Sequence, residues 1–360
     1  MKLADFKVEQ WMNDHEMQAK YNLTDTCSKE MSLKELLDLE SIDLDMILDY
    51  GEITGSQAAK KGILSLYESG NYKQITTCHG CLEANMLVMQ TLLEKGDHVI
   101  TFSPGYQQFM EIPASLGCEV SILPLDAHWQ PSLEAVKDAL CANTKMVILN
   151  NPNNPTGISF SKAFVQGLID LCKARKIYIL CDEVYRGFSD DKSISDMYEW
   201  GISTSSLSKT LSLAGLRYGW IKADESIIHQ INVRRDYAMI STGPLMDALA
   251  TIALQHKTEL MAANKARIET NKQTVREWLK DHPHFEVQLP EAATVSFLHF
   301  DYPISSVEFA EDCLAETGVF FVPGSCFGYE SYLRLGLGQD SEKMKEGLAQ
   351  LSLWCEKRFG

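Results

Sequence analysis

The chain has 360 residues and a mass of 40.5 kDa, enough for two domains that each bury a core. Apolar residues make up 45% and charged residues 23%, which excludes a disordered chain, and a net charge of −16 argues against nucleic acid or an anionic membrane as partner. No apolar run approaches the length of a membrane span, and the polar N-terminus does not resemble a signal peptide.

Ten cysteines are scattered mostly singly through apolar segments, a pattern typical of reduced thiols in a cytoplasmic enzyme. The exception is the C-x-x-C sequence of Cys78 and Cys81. A zinc site would need a second pair of ligands at suitable spacing, and the sequence has none. A thioredoxin-like role stays open, because the pair precedes a predicted helix where a thiol is prone to oxidation.

The N-terminal part, residues 1–48, is predicted to be a segment of a smaller domain. Apolar side chains at helical spacing predict a helix within residues 6–19, followed by an extended piece over 21–28. Ser32 leads a second predicted helix, and Ser56 caps a third that runs to residue 67.

Residues 76–223 alternate short apolar runs with helical stretches. Strands are predicted at 99–102, 119–123, 146–150, 178–181, 203–207 and 219–222. This alternation predicts an α/β fold, in which a mostly parallel sheet is flanked by helices on both faces. Ligands bind at the carboxyl ends of the strands in such sheets, so the polar residues just after the strands are the candidate site.

The rest of the chain is predicted to complete the smaller domain. Residues 227–279 are largely helical, with a long connecting helix over 262–279. Strands are expected at 295–300, 318–322 and 332–337, and a last helix starts at Ser341. We therefore expect a large domain over 49–261 and a smaller α+β domain built from 262–360 and the N-terminal segment.

Lys209 lies in a polar turn after a predicted strand. A lysine amine attacks aldehydes when its surroundings lower its pKa, and it then forms a Schiff base. The hydroxyls of Ser206 and Ser208 and the guanidinium of Arg217 suit a phosphate group. The stretch therefore indicates a pyridoxal phosphate site, the alternative being an ordinary solvated lysine.

Two further turns follow strand ends. Gly80 and Cys81 open a helix directly after residues 76–78, and bare backbone N–H groups at a helix N-terminus bind anions. Tyr106, in the sequence S-P-G-Y, could stack on a flat aromatic ring or simply pack within its turn.

The sequence N-N-P-N-N-P-T-G over residues 150–157 is more specific. Its prolines restrict the turn and could be cis, and its amides, among them Asn154, can donate hydrogen bonds to a phenolic oxygen. Asp182 ends an apolar strand, where a carboxylate needs a positive partner such as a pyridinium nitrogen. Tyr185 is three residues further on. The alternative for Asp182 is a cap on the next segment.

Arg334 is a charge within the apolar sequence Y-L-R-L-G-L. Its planar guanidinium suits the carboxylate of a substrate, and a structural salt bridge is the alternative.

Taken together, these motifs resemble those of the class I/II aminotransferases, which are fold-type I pyridoxal phosphate enzymes. N-N-P-x-N-P-T-G, D-E-V-Y and S-x-S-K-x-x-x-L-A-G-L-R occur in the order and spacing of that family. The resemblance extends from about residue 50 to Arg334.

The resemblance implies a role for each candidate residue. Lys209 would form the Schiff base and then transfer protons, and Asp182 would pair with the pyridine nitrogen. Asn154 and Tyr185 would bind the phenolic oxygen and Tyr106 would stack on the ring. The phosphate would be held by Gly80, Cys81, Ser206, Ser208 and Arg217. Arg334 would bind the α-carboxylate, and Tyr50 would reach the phosphate of a neighbouring subunit, which implies a homodimer.

The resemblance departs from the family at the N-terminus. Where many relatives have a glycine- and proline-containing loop over the substrate, this chain has Y-N-L-T-D-T-C at 21–27. An aminotransferase acting on an L-amino acid and a 2-oxo acid is predicted, with a lyase or cyclase that uses the same cofactor as the alternative. A DNA-binding regulator and a nicotinamide-binding enzyme are disfavoured, because the chain is acidic and has no G-x-G-x-x-G after its first strand.

Overall fold

A computed structural model describes residues 2–360. The N-terminal part contains short elements, α1 (Lys7–His15), β1 (Tyr21–Asn22), α2 (Leu33–Leu39) and α3 (Gln57–Leu64). The side chain of Ser32 caps α2 and forms a reciprocal capping box with Glu35, and Ser56 caps α3. Both predicted caps are therefore present.

The middle of the chain alternates strands and helices, as predicted. The elements are β2 (Ile75–Cys78), α4 (Cys81–Leu92), β3 (His98–Ser103), α5 (Gln108–Leu116), β4 (Glu119–Pro124), α6 (Leu133–Ala139), β5 (Thr144–Asn150), α7 (Lys162–Lys173), β6 (Tyr178–Asp182), α8 (Ile194–Met197), β7 (Gly201–Ser206) and β8 (Gly219–Lys222). They form a seven-stranded sheet of order β2-β8-β7-β6-β5-β3-β4. Only β8 runs antiparallel to its neighbours, which confirms the mostly parallel sheet.

Both faces of this sheet are covered. In β5, Met146 and Ile148 belong to one apolar cluster, whereas Val147 and Leu149 belong to another on the opposite face. Successive side chains of a strand point to opposite faces, so a strand that is apolar throughout must be covered on both sides. The polar residues that remain at the ends of these strands are left to build a site.

The last part of the chain contains three helices and then a mixed region. Its elements are α9 (Glu225–Arg235), α10 (Pro244–Gln255), α11 (Lys257–Lys280), β9 (Phe285–Glu286), β10 (Val295–Phe300), α12 (Ser306–Thr317), β11 (Val319–Phe320), β12 (Val322–Pro323), β13 (Tyr332–Gly336) and α13 (Ser341–Phe359). The strand expected at 318–322 is divided, since β11 pairs with β1 whereas β12 pairs with β13.

The N-terminal segment packs against this C-terminal part. Strand β1 runs parallel to β11, and Tyr21 and Leu23 lie in one apolar cluster with Leu335 and Trp354. The first strand of the chain therefore pairs with a strand within the last hundred residues. The domain boundaries at 48/49 and 261/262 stay a prediction.

Candidate active site

A cavity of about 310 Å³ opens at the carboxyl ends of the parallel strands. Ten of the predicted site residues line it, namely Cys81, Tyr106, Asn154, Asp182, Tyr185, Ser206, Ser208, Lys209, Arg217 and Arg334. Gly80 lies beside the guanidinium of Arg217. Tyr50 is the exception, because it does not line this cavity and its side chain is 64% exposed.

Lys209 projects its amine toward the N-terminal segment. Its Nζ donates to Thr26 Oγ1 at 2.7 Å and lies 3.4 Å from Cys27 Sγ. The backbone N–H of Ser28 in turn donates to the carbonyl of Lys209 at 3.3 Å. The lysine is therefore held at both its main chain and its amine by residues about 180 positions earlier in the sequence.

The surroundings of Lys209 do not lower its pKa in the cofactor-free protein. Burial by itself lowers the pKa of the amine, but the neighbouring Cys27, Tyr185 and Asp25 raise it above its ordinary value. The amine is thus a protonated donor in this state. It must lose that proton before it can attack an aldehyde.

Asp182 is the last residue of β6 and is buried. Its carboxylate accepts from Asn85 Nδ2 at 2.7 Å and from the backbone N–H of Val184 at 3.1 Å. Asn85 is held in turn by Thr204, whose hydroxyl donates to Asn85 Oδ1 at 2.6 Å. Burial raises the pKa of Asp182, and the hydrogen bond from Asn85 opposes that effect. A buried carboxylate of this kind is stabilised by a cationic partner inside the cavity.

Asn154 and Tyr185 are buried on the cavity wall. Asn154 Oδ1 is buried and has no hydrogen-bond partner among residues 2–360, although the backbone N–H of Asn154 donates to Asn150 Oδ1 at 2.7 Å. A buried amide without a partner indicates a ligand, and the two ends of an amide exchange by rotation. Burial raises the pKa of Tyr185, so its hydroxyl remains a hydrogen-bond donor at neutral pH.

The phosphate side of the predicted site is built from bare backbone and a guanidinium. Gly80 has φ of +86°, and a Cβ there would come within 2.6 Å of Arg217 Nη2. A side chain at this position would fill the space in front of the guanidinium, which explains the glycine. Ser206 and Ser208 line the same side, with the Ser208 N–H donating to Ser206 Oγ at 3.2 Å.

Tyr106 lies on the wall that faces α1. Its hydroxyl donates to Glu9 Oε1 at 2.8 Å, and its ring packs against Phe6 with 4.9 Å between centroids. Burial and the Glu9 carboxylate keep the pKa of Tyr106 well above its ordinary value.

Arg334 is only 5% exposed and lines the cavity. Its Nε donates to Thr24 Oγ1 at 3.2 Å, and its Nη2 lies 3.8 Å from Met12 Sδ. Within residues 2–360 it forms no ion pair with a carboxylate, so the structural salt bridge considered as the alternative is not present. A buried guanidinium without an anion is stabilised by a ligand that supplies one.

Sequence reasoning missed several residues of this cavity. Glu9, Met12, Asp25 and Thr26 come from the N-terminal part, and Asn85 comes from α4. A polar residue on the buried face of an apolar helix was the available signal for Asn85. No local signal marked the N-terminal residues, because long-range packing brings them to the cavity.

The two cysteines of the C-x-x-C pair lie at the end of β2 and at the start of α4. Both thiols are free, and burial raises the pKa of Cys78 and of Cys81. A thiol with a raised pKa is a poor nucleophile, which argues against the redox alternative.

No cluster of metal-binding side chains occurs within residues 2–360, and no helix there has the length and apolar character required to cross a membrane.

The cavity fits pyridoxal phosphate in each of its parts. The amide oxygen of Asn154 has no hydrogen-bond partner among residues 2–360, and Gly80 leaves space for a phosphate beside Arg217. The buried carboxylate of Asp182 would be stabilised by a cationic ring nitrogen. Lys209 supplies the amine that reacts with an aldehyde.

Comparisons with known proteins agree with this fit. The family model for class I and II aminotransferases matches residues 22–351. A solved pyridoxal phosphate-dependent aminotransferase from Streptococcus suis superposes with a TM-score of 0.95 at 36% identity, covering 99% of each chain. A capreomycidine synthase from Streptomyces vinaceus is 25% identical over 96% of this chain and 92% of its own length. An aspartate aminotransferase from Thermotoga maritima is 28% identical over 79% of this chain and 76% of its own.

The fold, the cavity and these matches lead to one assignment. The chain belongs to the class I and II aminotransferase family, a family of enzymes whose cofactor is pyridoxal phosphate.

Proposed function

We propose that the protein is an aminotransferase that moves an amino group between an L-amino acid and a 2-oxo acid. The observation that carries the proposal is the meeting of Lys209, Asp182 and Arg334 in one cavity, since these supply the amine, the buried carboxylate and the carboxylate-binding guanidinium. When bound, pyridoxal phosphate supplies an electron sink for negative charge at the substrate Cα. The residues of the chain bind and orient the cofactor and the substrate, and they move the proton.

Lys209 has two proposed tasks. Its Nζ would hold the cofactor through the aldehyde and would serve as the base that moves the proton at the substrate Cα. Thr26 holds that amine through a 2.7 Å hydrogen bond, so it orients the base. Asp182 would keep the ring nitrogen of the cofactor protonated, and Asn85 orients Asp182 through a 2.7 Å hydrogen bond.

The other residues of the cavity would bind the cofactor or the substrate. Asn154 and Tyr185 hold the phenolic oxygen, and Tyr106 covers the ring. The phosphate is held by the Gly80–Cys81 backbone, Ser206, Ser208 and Arg217. Arg334 holds the α-carboxylate of the substrate, which fixes the orientation of Cα toward Lys209.

A homodimer with shared active sites is part of the proposal. Tyr50 is exposed and lies outside the cavity of its own chain, as expected if it completes the site of a second copy. Leu44, Ile47 and Leu48, on the same segment, are 89%, 78% and 74% exposed, and exposed apolar groups of this kind favour an interface. Light scattering of the purified protein tests this, and a monomer would contradict it.

A cytoplasmic location belongs to the same proposal. It is supported by the ten cysteines, all of which are free thiols, because such thiols persist in a reducing compartment.

The alternative is a lyase or cyclase that uses the same cofactor on an amino acid. Two observations favour keeping it. The capreomycidine synthase is similar over nearly the whole chain, and the segment over the amine, Asp25 to Cys27, carries a carboxylate, a hydroxyl and a thiol where the family loop has glycine and proline.

An absorption titration of the purified holoenzyme separates these possibilities. For an aminotransferase, an amino acid converts the cofactor band to the amine form, and a 2-oxo acid restores it. Release of pyruvate or ammonia without a requirement for 2-oxoglutarate would instead support the lyase or cyclase. Absence of any cofactor band after adding pyridoxal phosphate would contradict both.

A further inference from the structure

Two carboxylates, those of Glu9 and Asp25, line the substrate side of the cavity. Glu9 projects from α1, and Asp25 from the segment that follows β1. Glu9 Oε1 accepts from the Tyr106 hydroxyl at 2.8 Å, and Asp25 Oδ1 accepts from the Cys27 backbone N–H at 2.9 Å. Neither takes part in an ion pair with another of residues 2–360, although the charge of Asp25 acts on the nearby Lys209 amine.

A third carboxylate lies close to these two. Glu16 Oε1 accepts from Asn22 Nδ2 at 2.9 Å, and Asn22 Oδ1 accepts from the Asp25 backbone N–H at 3.0 Å. Burial and then Asp25 raise the pKa of Glu16 and Glu9 adds a smaller contribution, whereas the hydrogen bond from Asn22 and the charge of Arg334 oppose them. Negative charge is therefore concentrated beside this wall of the cavity.

The charges of the cavity can be matched to the ligands of the proposed function. Six lining residues have ordinary side-chain charges, namely Glu9, Asp25, Asp182, Lys209, Arg217 and Arg334. Arg217 would pair with the cofactor phosphate and Asp182 with the ring nitrogen. The amine of Lys209 would react with the cofactor aldehyde and so would not pair with the substrate side chain. Arg334, buried and without an anionic partner, takes the α-carboxylate.

Glu9 and Asp25 remain after this matching. Partly buried carboxylates are costly without a counter-charge, and a binding site is complementary in charge to its ligand. The remaining part of the substrate is its side chain. An acidic side chain would meet repulsion at this wall, and a neutral one would leave both carboxylates unpaired.

We propose that the substrate is an L-amino acid with a cationic side chain, an ammonium or a guanidinium, which Glu9 and Asp25 bind. This inference rests on the proposed function, because the position of the side chain follows from binding of the α-carboxylate by Arg334. It holds for transamination and for the lyase or cyclase alternative alike, since it concerns recognition and not the bond that breaks.

Dissociation constants measured on the wild-type holoenzyme test the inference directly. L-Arginine is compared with L-citrulline, a nearly isosteric neutral analogue, and L-lysine with L-norleucine, with L-glutamate as the acidic ligand. Binding is followed by calorimetry and by the cofactor absorbance. A charge-assisted hydrogen bond predicts that at least one cationic ligand binds about 10- to 100-fold more tightly than its neutral analogue.

Variants identify the carboxylates. Glu9→Gln keeps an oxygen for the Tyr106 hydroxyl while it removes the charge, and Asp25→Asn keeps an oxygen for the Cys27 N–H. Each should lower the cationic-to-neutral preference about 10-fold. Asp14→Asn is the matched control, because it removes a charge from an exposed position of α1 outside the cavity, and it should leave the preference unchanged.

The outcomes are distinct from those for the proposed function. A holoenzyme that binds the neutral or acidic ligands as tightly as the cationic ones would overturn this inference and leave the cofactor assignment intact. The wild-type comparison decides this even if a variant fails to fold. Failure of the wild-type protein to bind pyridoxal phosphate would overturn the proposed function first, and this inference with it.

Discussion

The cavity has two walls that are built in different ways. The cofactor wall consists of strand ends and the turns after them, and it carries Asn154, Asp182, Ser206 and Lys209. The substrate wall consists of α1, residues 22–28 and β13, and it carries Glu9, Asp25, Thr26 and Arg334. Residues of the first wall are placed by the strand that immediately precedes them, whereas those of the second are placed by contacts that span 183 and 310 positions. The residues proposed to bind the cofactor are thus positioned by nearby sequence, whereas those proposed to select the substrate are positioned by long-range packing.

The substrate wall is nevertheless held firmly. The Gly336 N–H donates to the Leu23 carbonyl at 2.7 Å, and the hydroxyl of Thr294 donates to the carbonyl of Thr26. A Cβ on Gly336 would lie 1.8 Å from the Asp25 carbonyl oxygen, so only glycine permits β13 to approach so closely. The segment over the lysine is therefore anchored to β13 along its length.

The largest effect should come from the cofactor wall. Lys209→Ala removes both the covalent anchor and the base, and we expect turnover to fall roughly 10⁴-fold or more. Steady-state kinetics and the loss of the lysine-linked cofactor band measure it. Lys173→Ala, at an exposed position of α7, is the control and should keep wild-type activity. Full turnover by the Lys209 variant would refute the mechanism.

A pair of arginine variants should separate the two walls. Arg334→Gln should raise KM for the amino acid about 10- to 100-fold with little change in cofactor affinity, because it removes a charge-assisted contact to the α-carboxylate. Arg217→Gln should do the reverse and weaken cofactor binding by a similar factor. Substrate titrations and cofactor titrations distinguish the two. Equal effects of either variant on both ligands would mean that the walls are not independent.

The hydroxyl of Thr26 connects the walls. Thr26→Val keeps the shape but removes the acceptor for Lys209 Nζ, so we expect kcat to fall about 3- to 10-fold while KM changes little. Thr26→Ser keeps the hydroxyl and should restore most of kcat, as a packing role would not. A pH–rate profile should change in the valine variant only.

The smallest effect concerns stability of the cofactor-free protein. The pKa of Asp182 is raised in the folded state, so this carboxyl opposes folding once the pH exceeds the ordinary aspartate pKa and the unfolded chain loses its proton first. Raising the pH from about 3 to about 7 should therefore lower the melting temperature of the wild type relative to that of Asp182→Asn, which has no titrating group at this position. Below about pH 3, where the carboxyl holds its proton in both the folded and the unfolded state, the difference between the two proteins should stop changing with pH.

Thermal unfolding at several pH values measures this difference. The same substitution should lower turnover once the cofactor is bound, since an amide does not keep the ring nitrogen charged. A wild-type melting temperature that rises relative to that of Asp182→Asn between about pH 3 and pH 7 would contradict the cost assigned to the buried carboxylate.

The sequence was sufficient for much of the cofactor wall. Asp182, Asn154 and Lys209 follow apolar runs in turns rich in proline, asparagine and serine, so their place at the carboxyl edge of the sheet followed from the pattern. Asn85 was missed because its hydrogen bond to Asp182 joins α4 to β6 over 97 positions of the chain. The electrostatic surroundings of Lys209 could not be inferred from its own turn, because Cys27 and Asp25, which raise its pKa, come from the N-terminal segment.

By itself, then, the sequence determined the α/β class, the mostly parallel sheet and the turns that line the cavity at the strand ends, because apolar periodicity and turn residues act over a few positions. Only the tertiary structure decided that α1 and residues 22–28 form the substrate wall, that Arg334 has no ion-pair partner in the chain, and that Glu9 and Asp25 share its cavity. These facts depend on the pairing of β1 with β11 and on the glycine of β13, which join residues some 300 positions apart.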